Sequence, residues 1–436
     1  MSHQVPRGER DLSVAALARV EGEGAMRLRV ADGQVTGVEL NIYEPPRFFE
    51  ALLRGRRMHE PVDITARICG ICPVAYQMSA CAAVEDACGV EVSAPIRNLR
   101  RLIYCGEWIQ SHALHIYLLH APDFLGCESA LVLARDHREV VERGLRLRKA
   151  GNELITAVGG RDSHPVNVRL GGFYRAPARA RLEGLRALLD EALEDALATV
   201  RMTAAFDMPD LELAHTLVAL SEPGEYPIDR GRLTSTAGLD APVEAFSEHI
   251  VEEHVAHSTA LHAQLEGAEQ PYLVGPLARY ALGREWLSPA AQAAAGEAGL
   301  PKVVRNPYQS IVVRAVEAVY AVEEALRLID GYEEPDPPAR TVMPRAGVGH
   351  GATEAPRGIL YHRYELDDDG IITRATIVPP TSQNQRALEA DLRDYASRHL
   401  HLDDDALRWR LEQAIRNYDP CISCATHFLD LTVERR

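Results

Sequence analysis

The sequence predicts an α+β protein that is mainly α, with a central bundle of long helices and small antiparallel β-hairpins at its periphery. Five long stretches place apolar residues at intervals of three to four, which is the spacing of one helix face. Two other stretches alternate around an Asp-Gly pair, which is typical of hairpins. No repeat or low-complexity linker divides the chain, so a single domain over residues 1–436 is expected.

The N-terminal part begins with a predicted hairpin over residues 26–43 that turns at Asp32-Gly33. A short helix is expected from Phe48 to Arg56. The bundle helices follow, and they are predicted over 98–120, 136–158, 178–203, 244–266 and 308–330.

The segments between these helices are rich in Gly and Pro and are expected to be irregular: 159–177, 222–242 and 331–358. A second hairpin is predicted over 358–380, with its turn at 367–370. Two helices follow over 382–400 and 403–417, the latter with Asp403 as N-cap.

Composition and charge limit the function classes. The chain has 436 residues, 46% hydrophobic and 25% charged, as in ordinary globular proteins. A formal charge of −16 argues against a nucleic-acid surface. The N-terminus lacks an apolar signal core, and no apolar run approaches the roughly 18 residues of a membrane span. We therefore expect neither a signal peptide nor a membrane span.

The eight cysteines fall into two groups. Two Cys-x-x-Cys pairs, Cys69/Cys72 and Cys421/Cys424, lie nearly a chain length apart. Four thiolates select zinc, an iron–sulfur cluster or another soft transition metal, so a buried metal site that joins the two ends is predicted. The other four are expected to be buried free thiols: Cys81, Cys88, Cys105 and Cys127.

Several metal sites are compatible with the cysteines alone. Structural zinc ligands and iron–sulfur ligands usually lie closer together in sequence than these two pairs. A thioredoxin-like pair needs only one motif and a βαβ context, which this sequence lacks. Taken singly, residues such as Glu21, Glu50, Arg357 and His427 are more typical of surface or packed positions than of a site.

The two cysteine motifs, Arg-Ile-Cys-Gly-Ile-Cys at 67–72 and Asp-Pro-Cys-Ile-Ser-Cys-Ala-Thr-His at 419–427, resemble those of the large subunit of nickel–iron hydrogenases. The resemblance covers nearly the whole chain and implies the fold of that subunit. Further similar segments are Arg-Val-Glu-Gly at 19–22, Gly-Gly at 159–160, His-Pro at 164–165, Gly-Gly at 171–172, Gly-Pro-Leu-Ala-Arg at 275–279, Glu-Ala-Pro-Arg-Gly at 354–358 and Val-Pro-Pro-Thr at 378–381.

The resemblance implies a nickel–iron centre. Cys69 and Cys421 would be terminal ligands of nickel. Cys72 and Cys424 would bridge nickel to an iron that also carries cyanide and carbon monoxide.

The resemblance also implies a magnesium site. Glu50, 19 positions before Cys69, would supply its carboxylate. His427 would be the second side chain, and the carbonyl of Thr376 a further ligand.

For the reaction, the resemblance implies reversible heterolytic cleavage of H2. The thiolate of Cys421 would take the proton, and Glu21 would relay it outward. Arg357, in the segment above the metals that includes Pro356, would orient and stabilise the reacting groups. Arg357 and the hydroxyl of Thr381 would hydrogen-bond the cyanides.

Three positions depart from the family pattern. Ser111 stands where many members have Asp, Tyr76 where many have His, and Pro380 where many have Ser. The segments 72–78 and 380–384 are similar to the cytosolic, bidirectional, NAD(P)-linked branch of sulfhydrogenase-like enzymes (group 3b).

The resemblance implies several partners. An iron–sulfur small subunit would carry the electrons, with flavin and further iron–sulfur subunits handling NAD(P). Maturation factors would insert the metals, and an endopeptidase would remove residues 428–436 if this branch is trimmed. The alternatives are a hydrogen-sensing regulatory subunit with the same site, a relative within a respiratory quinone complex and a zinc-stapled interaction module.

Overall fold

The computed structural model describes residues 10–43, 48–127, 129–212 and 214–425. Its long helices form the interior of the protein, as the apolar spacing predicts. Helix α4 packs against α7 and α13, and α13 also packs against α9. The helices of this part of the chain are α1 Phe49–Leu53, α2 Pro61–Thr65, α3 Pro73–Cys88, α4 Ala94–Leu114, α5 Ala121–Phe124, α6 Ala130–Asp136, α7 Arg138–Gly159, α8 Arg179–Glu183 and α9 Arg186–Ala204.

The remaining helices lie in the C-terminal half: α10 Phe246–His249, α11 Pro276–Gly283, α12 Pro289–Glu297, α13 Ser310–Asp330, α14 Pro380–His399 and α15 Asp404–Arg416. Helix α4 continues as one π-helical turn over His115–His120. Asp403 caps α15 by accepting the Ala406 amide at 2.8 Å, as predicted. No helix of the described ranges combines the length and apolarity needed to cross a bilayer.

The strands form small sheets. They are β1 Arg10–Val14, β2 Gly24–Ala31, β3 Gln34–Ile42, β4 Val168–Arg169, β5 Gly172–Phe173, β6 Thr216–Ser221, β7 Arg232–Ser235, β8 Asp240–Ala241, β9 Ile250–Glu253, β10 His262–Leu265, β11 Tyr272–Leu273, β12 Gly347–Ala355, β13 Gly358–Leu366 and β14 Ile372–Val378. Strands β1-β2-β3 and β12-β13-β14 form antiparallel sheets, and β9 pairs with β10 and β4 with β5. The sheet β11-β6-β7-β8 contains one parallel pair, β11 with β6. Both predicted hairpins and the mainly α class are confirmed.

The helix predicted over 244–266 is wrong. That segment contains a 3₁₀ turn, the short helix α10 and the β9–β10 hairpin, in which Ile250 pairs with Leu265. The chain between the two strands is bound to β3, because both the amide and the hydroxyl of Thr259 donate to the carbonyl of Ile42. Tertiary contacts therefore override the local helical spacing.

The segment 331–358 also contains more regular structure than expected, since β12 lies within it. This strand packs directly on α3. A Cβ added at Gly351 would lie 2.5 Å from the carbonyl oxygen of Ser79, and one at Gly349 would overlap the carbonyl of Ala83. The glycines that suggest a loop in the sequence are thus what allows a strand to approach the helix backbone.

Candidate metal centre

The two Cys-x-x-Cys pairs meet in the interior. The Sγ atoms of Cys69 and Cys421 are 3.4 Å apart, those of Cys72 and Cys424 are 3.8 Å apart, and all four sulfurs lie within 4.8 Å of one another. No side chain of the four is more than 3% exposed. We call these four residues the cysteine cage.

Local backbone structure holds each half of the cage. Cys72 is the N-cap of α3, and the amides of Ile71 and Cys72 point to Sγ of Cys69 at 3.3 and 3.4 Å. Cys421 forms a β-bridge with Glu21, and Cys424 lies in the 3₁₀ turn Ile422–Ala425 that follows. Each pair is therefore fixed by main-chain bonds before any ion binds.

The sulfur arrangement fits a bound metal. The Sγ atoms of Cys421 and Cys424 are 2.7 Å apart, beyond the roughly 2.05 Å of a disulfide. Hydrogen bonds with Cys421, Cys424 and Cys72 lower the pKa of Cys69 well below its usual value. Burial raises the pKa of Cys421 well above its usual value. Four sulfurs this close cannot all ionise unless a cation lies between them. This donor set fits nickel and iron, and by itself it also fits zinc.

Glu21 lies against the cage. Its Oε2 accepts a hydrogen bond from Sγ of Cys421 at 3.2 Å and another from the amide of Ser423 at 3.1 Å. Glu21 is half-buried, so its carboxylate connects a buried sulfur to the periphery. The predicted relay residue is therefore in contact with the predicted proton acceptor.

Arg357 is buried and anchored by one residue. Its Nε donates to the carbonyl of Asp419 at 2.7 Å, and its Nη2 donates to Oδ1 of Asp419 at 3.0 Å. Its Nη1 is buried without a hydrogen-bond partner among the described residues, as expected of a donor that awaits a ligand. Burial opposes its charge, but Asp419 and the cage cysteines raise the pKa of Arg357 well above its usual value. The guanidinium is therefore a permanent cation and not a base.

Pro356 is held by two other buried arginines. Its carbonyl accepts hydrogen bonds from Nη2 of Arg279 at 2.9 Å and Nη1 of Arg314 at 3.5 Å. Arg279 also forms a two-point ion pair with Glu317, and its Nη1 lies 3.0 Å from Oε2 of Glu354. This network fixes the segment that carries Arg357.

Thr381 contacts the cage from the first turn of α14. Its Oγ1 accepts the amide hydrogen of Cys421 at 3.1 Å. This bond uses a lone pair of the hydroxyl and not its hydrogen, so Thr381 keeps a donor for a ligand of the metal. Pro380, where many relatives have Ser, is the buried first residue of the same helix.

The predicted magnesium ligands are only partly described. Oε1 of Glu50 accepts the amide of Ile377 at 2.7 Å, which brings the carboxylate beside the Thr376–Ile377 peptide. Burial raises the pKa of Glu50 to about 7, and burial together with the charge of Glu50 raises that of Glu252 to about 8. His427 lies outside the described residues.

Two residues that support the surroundings of the cage had no predicted role. Asp419 has φ 50°, and its backbone and side chain both bind Arg357. The position of Asp419 in the Asp-Pro-Cys motif was the sequence signal that could have indicated this role. Glu107 accepts the amides of Val74 and Ala75 at 2.6 and 3.0 Å and so anchors the start of α3 next to Cys72. Nothing local in the sequence around Glu107 indicates this contact.

Comparisons with known proteins agree with this geometry. Residues 47–161 and 268–427 match the family described as nickel-dependent hydrogenase. Sulfhydrogenase 1 subunit alpha of Pyrococcus furiosus is 34% identical over 425 residues, which cover 96% of this chain and 98% of the relative. NAD-reducing hydrogenase HoxS subunit beta of Cupriavidus necator is 29% identical and covers 96% of this chain and 95% of its own.

A solved structure has the same fold. The crystal structure of an NAD+-reducing NiFe hydrogenase in the H2-reduced state superposes with a TM-score of 0.87 at 27% identity, and it covers 96% of this chain and 99% of its own. The four cage cysteines lie close enough together to hold a metal ion, as such a centre requires. The chain therefore belongs to the nickel-dependent hydrogenase family, in which it is a catalytic large subunit with a nickel–iron centre.

Proposed function

We propose that this subunit splits and forms H2 as part of a complex that exchanges electrons with NAD(P). The observation that carries the proposal is the contact between Sγ of Cys421 and the carboxylate of Glu21 at the cysteine cage. The NAD(P) linkage is supported by the likeness to the NAD-reducing relative and to the NAD+-reducing structure.

In this proposal the cage residues have distinct tasks. Cys69 and Cys421 would hold nickel, and Cys72 and Cys424 would hold both nickel and iron. The bound nickel–iron group supplies the site at which H2 is polarised and its two electrons are taken up. Arg357, fixed by Asp419, presents the positive charge and the donor of its Nη1, and Thr381 presents its hydroxyl. Pro356 acts by positioning Arg357.

The proton follows the side chains that are in contact. Sγ of Cys421 holds it first, and Oε2 of Glu21 at 3.2 Å is the next acceptor. The amide of Ser423 holds this oxygen in place, so the transfer needs no movement of the carboxylate. From Glu21 the proton passes to the periphery.

Electrons require partner subunits. Hydrogenase large subunits pair with small or other subunits. All eight cysteines of this chain are accounted for, four in the cage and four as buried free thiols, which supports an iron–sulfur small subunit as the electron carrier. Flavin and further iron–sulfur subunits would complete the path to NAD(P), and maturation factors would load the metals, with trimming of residues 428–436 as a final step.

The test uses the purified complex. Cys421→Ser should abolish nickel binding and H2 uptake, whereas Cys88→Ser, which changes a buried free thiol at the end of α3, should leave both unchanged. H2-dependent reduction of NAD+ or NADP+ tests the acceptor. Uptake with artificial dyes but not with either nucleotide would contradict the NAD(P) linkage. Only trace turnover with every carrier would favour a hydrogen sensor.

We also propose that Glu50, His427 and the carbonyl of Thr376 bind magnesium. Glu50 is half-buried and its pKa is raised to about 7, and the pKa of the neighbouring Glu252 is raised as well. A bound cation would stabilise two such carboxylates in their charged form. Elemental analysis should find one magnesium per large subunit, lost in Glu50→Gln and kept in Glu91→Gln on the surface. Equal magnesium content in the two variants would contradict the assignment.

A further inference from the structure

A second group of metal-binding side chains lies outside the cysteine cage. One ring nitrogen each of His257 and His262 and one carboxylate oxygen of Glu389 lie within 4.8 Å of one another. His257 lies in the connection between β9 and β10, His262 is the first residue of β10, and Glu389 is on α14. Three separate segments therefore supply one cluster.

Two of these side chains are already oriented towards each other. Nε2 of His257 lies 2.7 Å from Oε1 of Glu389, and the amide of Leu40 on β3 donates to the same oxygen at 2.8 Å. The His257 and His262 rings are nearly perpendicular, with centroids 5.5 Å apart. A main-chain donor that holds a carboxylate in this way is a common support for a metal ligand.

His262 provides an independent sign of a missing ligand. It is only 3% exposed, and its Nε2 is buried without a hydrogen-bond partner in the described part of the chain. Buried polar atoms are normally paired.

The surroundings allow an ion to enter. His257 and Glu389 are half-buried, so the cluster reaches solvent on one side. Arg386, one turn earlier on α14, is a cation that acts on His262, and its Nη1 lies 3.8 Å from Oε1 of Glu253. This carboxylate offsets the positive charge that would otherwise disfavour a cation.

We propose that His257, His262 and Glu389 bind a divalent transition-metal ion such as Zn²⁺, with water completing its coordination. Two imidazoles and one carboxylate form a donor set that suits zinc and its neighbours rather than magnesium or calcium. The ion cross-links the β9–β10 hairpin to α14. Glu389 is eight residues, about 12 Å, along this helix from Thr381, which holds the cage. The site is structural and separate from the nickel–iron centre.

The test is metal binding by the intact complex. The complex is dialysed against a chelator, equilibrated with low micromolar Zn²⁺ and analysed for zinc. We expect one zinc per large subunit and a rise of a few degrees in the unfolding temperature. Co²⁺ as a probe should give the visible absorption of a low-coordinate site. Because zinc content does not depend on H2 turnover, failure here would leave the proposed function untouched.

Variants locate the ion. His262→Gln and Glu389→Gln should each weaken zinc binding by more than about 100-fold, beyond the loss expected from a supporting residue. His215→Gln is the matched control, since His215 pairs with Asp391 on α14 and no third metal-binding side chain joins this pair among the residues that the structure describes. Absence of zinc uptake by the wild type, or uptake retained in both cluster variants, would overturn the proposal. Loss of zinc binding in the His215→Gln control would also overturn the proposal.

Discussion

Gly275 approaches the backbone of Arg357 so closely that a side chain cannot lie between them. Gly275 has φ 108°, and a Cβ added to it would lie 2.6 Å from the carbonyl oxygen of Arg357. One turn later Arg279 binds the carbonyls of Ala355 and Pro356 at 2.9 Å each. The start of α11 therefore forms the support on which the arginine of the metal site rests.

Gly275→Ala should displace Arg357. The substitution forces a residue with a Cβ into a left-handed conformation, which costs about 1–3 kcal/mol of stability before the steric overlap is counted. We expect a lower unfolding temperature and a lower rate of H2 oxidation. Gly296→Ala in α12 is the control, because a Cβ added at Gly296 would meet no atom within 4 Å. This substitution should leave the stability unchanged or raise it slightly. Equal behaviour of the two variants would contradict this role.

Arg357→Lys should separate charge from geometry. A lysine keeps the positive charge but cannot reproduce the two bonds of the guanidinium to Asp419 and still present a further donor. We expect H2 oxidation to fall by about 100- to 1000-fold with nickel and iron content unchanged. Arg398→Lys, at an exposed ion pair on α14, should have no effect. Full activity of the Arg357 variant would mean that charge alone suffices.

Glu21→Gln tests the proton relay. The amide can still accept the hydrogen bond from Ser423 but cannot carry a proton. Proton exchange between H2 and solvent should fall by about 100- to 10,000-fold, while the metals remain bound. Glu23→Gln, which makes the same change at an exposed position, is the control. If exchange persists at the wild-type rate, the proton leaves Cys421 by another route.

The stability of the subunit should depend on His112 below pH 6.5. Burial lowers the pKa of His112 to about 4, while the unfolded state has a value near 6.5. The unfolded chain therefore binds the proton first, and stability contributed by the neutral form is lost as the pH falls from 6.5 to 4. Relative to His112→Gln, the wild type should lose about 3 kcal/mol over this window.

Urea unfolding of the subunit at several pH values measures this difference. Nε2 of His112 lies 3.0 Å from Oε2 of Glu317, and a glutamine at position 112 carries no group that titrates. The control is His59→Gln at an exposed position. A difference in the free energy of unfolding between wild type and His112→Gln that does not change with pH would show that His112 has the same pKa in the folded and unfolded states.

The β9–β10 region illustrates where periodicity fails as a guide. Its apolar spacing suits a helix, in which His257 and His262 would be about 140° apart around the axis. Contacts with β3 and α14 make it a hairpin connection instead, and the two imidazoles meet. A cluster of this kind cannot be read from the local pattern, because Glu389 is more than 120 residues away.

The sequence by itself determined the ligand chemistry and most of the helices. Four thiols in two short motifs specify a soft metal wherever they meet, and helical spacing is a local property of each segment. Only the tertiary structure decided that Asp419 anchors Arg357 and that glycine-rich β12 is a strand on α3. It also decided that Nε2 of His262 is buried with no hydrogen-bond partner within the described ranges. Each of these depends on contacts between residues distant in sequence, which no local pattern encodes.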